Sequence, residues 1–319
     1  MLLVCAMPAS AHGLFVRSDP HPNAVLEKPP VQIEIWLTEP LESSFTEIKV
    51  LDENGFQVDD GVTNVNPSDP THIHVGLRSL GDGVYTVSWK ALSVVDGHVT
   101  FGTFPFSVGD VDPEVLAASV EASFGTVAAT PGEVIPRWLS LLGIAIVIGG
   151  SLFVAYVWMP VARKFSEANP VLIVELLRTV QMSGLALFIG ASIASLLWHV
   201  SSATGLEFTK VIFDAGLGEM LFGTRYGLLW LLRLVLAVTL ILSHINSWRW
   251  LDYARPVALC SLVVTLSLNS HLSASSSFLP IFSNVLHVVA ASLWIGGLLH
   301  LAVVILSLIH ISEPTRRYA

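Results

Sequence analysis

Two patterns of hydrophobic and polar positions divide the chain. Between residues 12 and 109, short runs such as 31–37 and 47–51 alternate apolar and polar residues, and turn-forming residues separate the runs. Alternation with a period of two is typical of strands that bury one face of a sheet. Between residues 137 and 305, by contrast, the apolar runs are long enough to cross a bilayer. The pattern predicts a β-domain followed by a helical membrane domain.

The first domain is predicted to be all-β. Further strand-like runs occupy residues 72–75, 83–89 and 103–108, and residues 52–55 have the composition of a hairpin turn. No long helical period interrupts these runs. Several short strands within about 100 residues indicate a Greek-key β-sandwich of the immunoglobulin-like type.

The second domain is predicted to be an all-α transmembrane bundle of about five helices. We expect the spans at about 138–159, 180–200, 226–245, 255–272 and 281–305. Residues 110–136 are acidic, rich in alanine and punctuated by proline, so they are predicted to tether the two domains.

Composition agrees with a membrane protein. The 319 residues have a mean hydropathy of +0.67 and only 13% charged side chains, unlike ordinary soluble domains. The net charge of −9 gives no support to a nucleic-acid partner. The two cysteines, Cys5 near the N-terminus and Cys260 in an apolar run, exclude a disulfide or zinc-finger framework.

The N-terminal residues have the pattern of a secretory leader. An apolar run is followed by Ala9-Ser10-Ala11, the small-x-small form of a cleavage site, so residues 1–11 are predicted to be a signal peptide, although a short and incomplete one. Cleavage after Ala11 would make His12 the first residue of the mature protein. Its amine and ring Nδ1 would then chelate one metal ion, and such nitrogen ligands suit Cu(II). The alternative is that His12 is an ordinary surface residue.

Loop charges predict the orientation in a bacterial cytoplasmic membrane. Basic residues flank the first and third connections between spans: Arg163, Lys164, Arg178, Arg249 and Arg255. By the positive-inside rule these two connections face the cytoplasm. The connections at 201–225 and 273–280 are then expected on the periplasmic side with the β-domain, as a secreted leader also requires.

A second candidate half-site is Asp96-Gly97-His98. A carboxylate and an imidazole two positions apart, separated by a glycine that lets the backbone bend, can turn toward one ion. With the amine and ring of His12 they would form a set of three nitrogens and one oxygen, which fits Cu(II) better than tetrahedral zinc. The alternative is an Asp-Gly turn beside an incidental histidine.

Several short motifs recur in one known family. They are His12, Ser18-Asp19-Pro20, Leu37-Thr38-Glu39-Pro40-Leu41, Val95-Asp96-Gly97-His98 and residues 102–108. On these motifs, residues 12–109 resemble the periplasmic copper-binding CopC family. The resemblance implies that His12, Asp96 and His98 ligate Cu(II). It also implies that Glu39 lies near the amino terminus and positions the ligands without binding the ion itself. Residues 12–136 contain no methionine, so the soft Cu(I) site of one branch of the family is not expected.

Three histidines are expected toward the periplasmic ends of the spans. His199 closes the second span, His271 closes the fourth, and His287 lies about 9 Å inside the fifth. Histidines within spans usually face the bundle interior or a wet cavity, so these are candidates for a copper path. The alternative is that each makes one interhelical hydrogen bond. For Arg233 in the third span, the sequence leaves three possibilities open. The side chain snorkels to the interface, pairs with Glu219 or has a functional role.

Motifs in the membrane domain carry a second resemblance. They are Thr224-Arg225-Tyr226-Gly227, Arg233, Ser270-His271 and residues 286–298, which include His287 and Trp294-Ile295-Gly296-Gly297. On these motifs, residues 224–305 resemble the CopD family of copper-resistance membrane proteins. Residues 306–319 resemble the translation of a sequencing adapter, so we expect an artefact there, with no role for His310 and with further helices missing.

Together these features predict a copper-binding membrane protein that is not an enzyme. The β-domain would capture Cu(II), and the bundle would accept copper for import, homeostasis and resistance. The expected partners are a copper ion, the lipid bilayer and a periplasmic copper donor. The sequence does not show where Cu(II) would be reduced before it crosses.

Two alternatives stay open. A histidine brace at His12 would make the β-domain a copper oxidase, although the anionic Asp96 disfavours redox cycling. Ligation of b-type haem by His271 and His287, which lie at compatible depths, would make the bundle an electron carrier.

Overall fold

The computed structural model describes residues 14–111, 131–164, 170–246, 248–270 and 278–317. The chain forms two compact units. The first unit comprises Met1–Thr130 and His199–Tyr226, and the second comprises Pro131–Trp198 and Gly227–Ala319. The predictions for the signal peptide, for His12 and for His271 lie outside the described residues.

The first unit contains a β-sandwich. Within residues 14–111 its strands are β1 (Phe15–Asp19), β2 (Val25–Leu26), β3 (Gln32–Leu37), β4 (Glu47–Leu51), β5 (Asn64–Asn66), β6 (Asp69–Gly76), β7 (Gly83–Leu92) and β8 (Val99–Val108). One sheet has the order β1-β3-β6-β5 and the other the order β2-β8-β7-β4. Paired strands are antiparallel except β2 and β8, which are parallel. The prediction of an N-terminal β-sandwich is confirmed.

The alternating pattern places one face of each strand in a shared core. In β3 the buried positions are Ile33, Ile35 and Leu37, and the residues between them are more exposed. These side chains belong to one hydrophobic cluster with Val50 of β4 and Phe106 of β8, which lie in the other sheet. The two sheets therefore bury their apolar faces against each other.

The longest strand pair positions the loop that carries the candidate residues. β7 and β8 pair from Gly83 opposite Val108 to Leu92 opposite Val99. The connection at residues 93–98 therefore lies at one end of this hairpin. It contains the predicted Asp96-Gly97-His98 half-site.

The rest of the described chain is mostly helical. The helices are α1 (Pro131–Phe153), α2 (Met159–Ala162), α3 (Pro170–Thr204), α4 (Ala215–Gly223), α5 (Arg225–Ile245), α6 (Arg249–Leu268) and α7 (Phe278–Arg317), and a π-helical turn (Val154–Trp158) joins α1 to α2. Among the described residues, five segments are long and apolar enough to span a membrane: Pro131–Ala162, Leu172–Thr204, Arg225–Ile245, Arg249–Leu268 and Phe278–Ile309. The prediction of a helical part with five spans is confirmed.

The segment His199–Tyr226 is part of the first unit. Gly205, with a φ of 75°, follows the end of α3. Asp214 caps α4, and its side chain accepts a hydrogen bond from the Gly216 N–H at 2.8 Å. Lys90 of β7 donates from Nζ to the Ala203 carbonyl at 2.6 Å. This bond satisfies one of the carbonyls that the C-terminus of α3 leaves without a helical partner.

Glycines bring α1 and α7 into close contact. A Cβ added at Gly149 would meet the Ser292 carbonyl oxygen and would lie 2.8 Å from Gly296 Cα. A Cβ at Gly296 would in turn meet the Ala145 carbonyl oxygen. Small residues allow such close approach in membranes, where packing contributes much of the association energy between helices.

We expect Gly149→Ala to destabilise the second unit, because the added methyl group would press on backbone atoms that cannot rotate away. The expected loss is about 1–3 kcal/mol, measured as a lower Tm by circular dichroism in detergent. Gly190→Ala in α3 is the matched control, since a Cβ there meets nothing within 4 Å. Helix propensity should stabilise the control by up to about 1 kcal/mol. Equal Tm values for the two variants would contradict a packing role for Gly149.

Candidate metal centre

Residues 93–98 form a closed loop between β7 and β8. The Ser93 N–H donates to the His98 carbonyl at 2.9 Å, and the Gly97 N–H donates to the Ser93 carbonyl at 3.1 Å. Gly97 has a φ of 74°, a left-handed conformation that costs other residues about 1–2 kcal/mol. The loop therefore presents Asp96 and His98 from a backbone of defined shape.

The side chains of Asp96 and His98 converge. Asp96 is only 4% exposed, and its Oδ1 accepts a hydrogen bond from the His98 N–H at 2.9 Å. Its Oδ2 lies 3.4 Å from His98 Nδ1. A carboxylate oxygen and an imidazole nitrogen at this separation can bind one cation together. The structure brings together the pair that the sequence singled out, and metal binding by it stays a prediction.

Glu39 supports the same loop. It is 4% exposed, and its Oε2 accepts a hydrogen bond from Ser93 Oγ at 2.5 Å. Ser93 Oγ in turn accepts a hydrogen bond from the Val95 N–H at 3.1 Å. These contacts give Glu39 a positioning role for the loop. Its expected neighbour, the amine of His12, lies outside the described residues.

A complete ligand set is not assembled from the described residues alone. Within the described ranges, no group of three or more histidine, cysteine, aspartate or glutamate side chains is arranged to hold a metal ion. Asp96 and His98 supply two of the predicted ligands. The amine and ring of His12 would supply the other two, so a four-ligand Cu(II) site requires His12.

Two residues of His199–Tyr226 lie against the loop. The His199 ring stands edge-on to the His98 ring, with 6.2 Å between centroids. Tyr226 stacks on His199 at 4.7 Å, and its hydroxyl lies 3.4 Å from His199 Nδ1. The Tyr226 ring also covers Gly97, where an added Cβ would lie 2.6 Å from Cδ2 of the tyrosine. A second imidazole is thus held beside the ring of His98.

Glu42 provides a further attachment for this segment. The Arg225 N–H donates to Glu42 Oε1 at 3.4 Å. Burial raises the pKa of Glu42, and the hydrogen bond from Arg225 opposes that rise. Burial also lowers the pKa of Lys90, which binds the end of α3. Glu42 and Lys90 thus lose part of their hydration where they hold His199–Tyr226 against the sandwich.

The other predicted residues are not gathered at this loop. His287 is exposed on α7. Arg233 of α5 donates from Nη2 to the Thr265 carbonyl of α6 at 2.5 Å. Sequence reasoning assigned no role to Tyr226, although it lies in a quoted motif, or to His300, which is fully buried in α7. The signal for His300 was its position four residues after Gly296, where a side chain reaches back over the preceding turn.

Known families match both parts of the chain. The CopC domain family matches residues 15–109. The family of copper resistance protein D-like, N-terminal domains matches residues 128–279. The chain is a fusion of a CopC-like domain and a CopD-like domain. This confirms the two resemblances.

The fusion is similar to the copper transport protein CutJ of Bacillus subtilis (strain 168). The two are 27% identical over 297 residues, which cover 90% of this chain and 52% of CutJ. The chain therefore spans about half the length of this curated relative.

Two solved structures are similar to part of the fusion. CopC from Methylosinus trichosporium OB3b is 24% identical, with a TM-score of 0.29, over 30% of this chain and 93% of that chain. PcoC, a methionine-rich copper resistance protein from Escherichia coli, is 27% identical, with a TM-score of 0.27, over 31% of this chain and 99% of that chain.

Gly97→Ala is expected to weaken Cu(II) binding by the fusion roughly tenfold or more, because the new methyl group would collide with Tyr226. Gly55→Ala is the matched control. Gly55 has a similar φ of 83°, but a Cβ there meets nothing within 4 Å. Competitive titration with a chromophoric chelator measures both affinities. Equal affinities would show that the contact with Tyr226 does not shape the centre.

Glu42→Gln is expected to stabilise the first unit at neutral pH. A raised pKa in the folded state contributes stability that is present below the ordinary value of 4.5 and is lost as the pH rises through the folded value. Glutamine stays neutral and can still accept the hydrogen bond from Arg225. The variant should therefore melt at a higher temperature than the parent near pH 7.5, with little difference near pH 4.

The exposed Glu53 offers the control for this measurement. Glu53→Gln removes the same charge from a turn and should leave the melting temperature unchanged at both pH values. A stabilisation by Glu42→Gln of equal size near pH 4 would rule out the titration of Glu42 as its cause.

Proposed function

We propose that this fusion captures Cu(II) on the periplasmic side of the cytoplasmic membrane and passes copper to its helical bundle for import. In this proposal Asp96 and His98, together with His12, bind the incoming ion. His199 then accepts the ion, and no catalytic step is assigned to the chain. The observation that carries the proposal is the 6.2 Å separation between the ring centroids of His98 and His199.

This separation suits transfer by ligand exchange. Copper and zinc bind imidazole nitrogens at about 2 Å, so two rings that share one ion have centroids within roughly 6 Å of each other. The ion can therefore gain a bond to His199 before it loses its bond to His98. Exchange through a shared intermediate avoids free copper in solution. His199 belongs to α3, a spanning helix, so transfer to it is the first step toward the bundle.

The donor set of the loop supports the cupric state for capture. Asp96 offers an anionic oxygen, and imidazole and amine nitrogens in a tetragonal arrangement suit Cu(II). Soft sulfur ligands would favour Cu(I) instead, and residues 12–136 contain no methionine. We therefore assign capture to Cu(II).

The orientation is part of the proposal and is supported by the residues at the start of α6. Trp248 and Trp250 flank Arg249, are 56% and 54% exposed, and stack at 6.1 Å. Tryptophans are enriched at both membrane–water interfaces, and basic residues such as Arg249 are enriched on the cytoplasmic side. Because α5 spans the membrane between its ends, His199–Tyr226 is then expected on the periplasmic side.

Three single substitutions test the proposed transfer. We expect His98→Ala to abolish tight Cu(II) binding. His199→Ala should retain equilibrium binding but lower copper uptake roughly tenfold. His21→Ala removes an exposed histidine from the turn after β1 and should change neither quantity. Binding is measured by chelator competition on the purified fusion, and uptake is measured as cellular copper by mass spectrometry.

Normal copper uptake by His199→Ala, at an expression level equal to that of the parent, would contradict the transfer step. Retention of Cu(II) affinity by His98→Ala would instead remove the capture site. The two failures are distinct, because the first concerns a rate and the second an equilibrium.

A further inference from the structure

Three spanning helices meet in a polar cluster where α5 ends and α6 begins. Gln181 of α3 is almost fully buried. Its Oε1 accepts a hydrogen bond from Nη2 of Arg255 in α6 at 2.9 Å, and it lies 2.6 Å from Nε2 of His244 in α5. Arg178 of α3 donates from Nη2 to the carbonyl of His244. Two guanidinium groups therefore converge on the last turn of α5.

The partners of Arg255 in this cluster carry no negative charge. Besides the amide of Gln181, its Nη2 lies 3.2 Å from His244 Nε2. Among the residues that the structure describes, Arg255 forms no ion pair with a carboxylate, and its Nε and Nη1 have no hydrogen-bond partner. Asp252, about one turn earlier on α6, is exposed and attracts Arg255 only from beyond contact distance. A half-buried positive charge at the end of a span is costly without a counter-ion.

Arg178 adds a second positive charge that is only weakly neutralised. Its Nη1 lies 3.3 Å from Glu175 Oε1, and the two side chains are 37% and 59% exposed. Exposed pairs of this kind are weak, because water screens both charges. The guanidinium group of Arg178 therefore stays available to another anion, and a phosphate group accepts parallel hydrogen bonds from a guanidinium.

The neighbouring side chains place the cluster at the boundary between membrane and water. Trp248, Trp250 and Tyr253 are each more than half exposed at the start of α6. Aromatic side chains of this kind are enriched at the level of the lipid headgroups. Arg255 lies six residues after Arg249, the first residue of α6, which is about 9 Å along the helix. The guanidinium groups are therefore at a depth that the phosphates of phospholipids also occupy.

An exposed apolar strip on α5 begins beside the cluster. Ile245 follows His244 directly, and Val238 and Val235 lie about two and three turns earlier on the helix. All three side chains are exposed. The cluster thus presents positive charge at the end of an apolar surface that leads into the bilayer. This arrangement matches the charged headgroup and the acyl chains of a lipid.

We propose that Arg178 and Arg255 bind the phosphate of an anionic phospholipid, whose acyl chains lie along the exposed strip of α5. A zwitterionic lipid carries its own cation beside the phosphate, so two adjacent guanidinium groups favour a lipid with an uncompensated negative charge. Basic pockets between spanning helices are known to bind such headgroups. The site goes beyond the proposed copper function and contains none of the residues assigned to it. A lipid bound there would join α3, α5 and α6 and stabilise the bundle.

Nanodiscs of two lipid compositions test the proposal. The purified full chain is placed in phosphatidylglycerol or in phosphatidylcholine, and its melting temperature is measured by circular dichroism. We expect the parent to melt roughly 2–4 °C higher in phosphatidylglycerol, because a ligand that binds only the folded state stabilises it. Arg255→Gln should lose most of this difference. Arg163→Gln removes an exposed charge from another connection and should keep the difference.

Native mass spectrometry from mixed detergent and lipid micelles provides a second measurement. The parent should retain phosphatidylglycerol in preference to phosphatidylcholine, and we expect each arginine to contribute a factor of roughly five. Arg178→Gln is the second variant, so the proposal stays testable even when Arg255→Gln does not fold. It should lower the preference, whereas Arg163→Gln should leave it unchanged.

Three results would overturn the proposal. The first is equal melting of the parent in the two lipids. The second is an equal loss of the difference in Arg163→Gln, which would indicate diffuse attraction by surface charge. The third is equal stabilisation in phosphatidylcholine by added inorganic phosphate, which would assign the cluster to a free anion. None of these results involves copper, so each would leave the proposed function intact.

Discussion

The contact between Gly97 and Tyr226 is the constraint on which the candidate centre depends. Gly97 adopts a left-handed conformation, and its missing side chain lets an aromatic ring lie directly on the backbone. A larger residue there would displace Tyr226, and His199 would move with the ring on which it stacks. The distance between His98 and His199 therefore follows from one absent Cβ. Through this contact, a loop of the sandwich is joined to the segment that leads into the spanning helices.

Two buried carboxylates lie at the same loop. Asp96 and Glu39 are nearly inaccessible to water, and each is hydrogen-bonded to the loop at residues 93–98. A buried carboxylate is costly unless donors or positive charge compensate for its lost hydration. The Ser93 hydroxyl and the His98 N–H are two of the donors that compensate for it. In the proposed function, a copper ion bound by Asp96 would add positive charge beside this buried carboxylate, which favours the bound ion.

Local sequence patterns predicted the strands and the helices. Contacts between residues far apart in the sequence determine which side chains surround the candidate centre. The alternation in β3 and the apolar length of the spans depend only on neighbours in sequence, so both could be derived. The convergence of Asp96 and His98 also followed from a glycine turn. No periodicity, however, relates His98 to His199, about a hundred positions later in the chain. The sequence also could not separate the exposed His287 from the buried His300, because α7 is apolar on most of its faces.

Copper on the proposed route meets its ligands in a definite order, from a carboxylate with imidazoles to neutral imidazole alone. An anionic oxygen stabilises Cu(II), which favours capture but opposes release. His199 can compete for the ion only once the Asp96 oxygen is displaced, and this would leave a buried carboxylate unpaired if the metal were its only partner. The bond from the His98 N–H to Asp96 Oδ1 removes that difficulty, because the donor belongs to the backbone and stays when the metal leaves. On the proposed route, tight capture and release are therefore compatible within one loop.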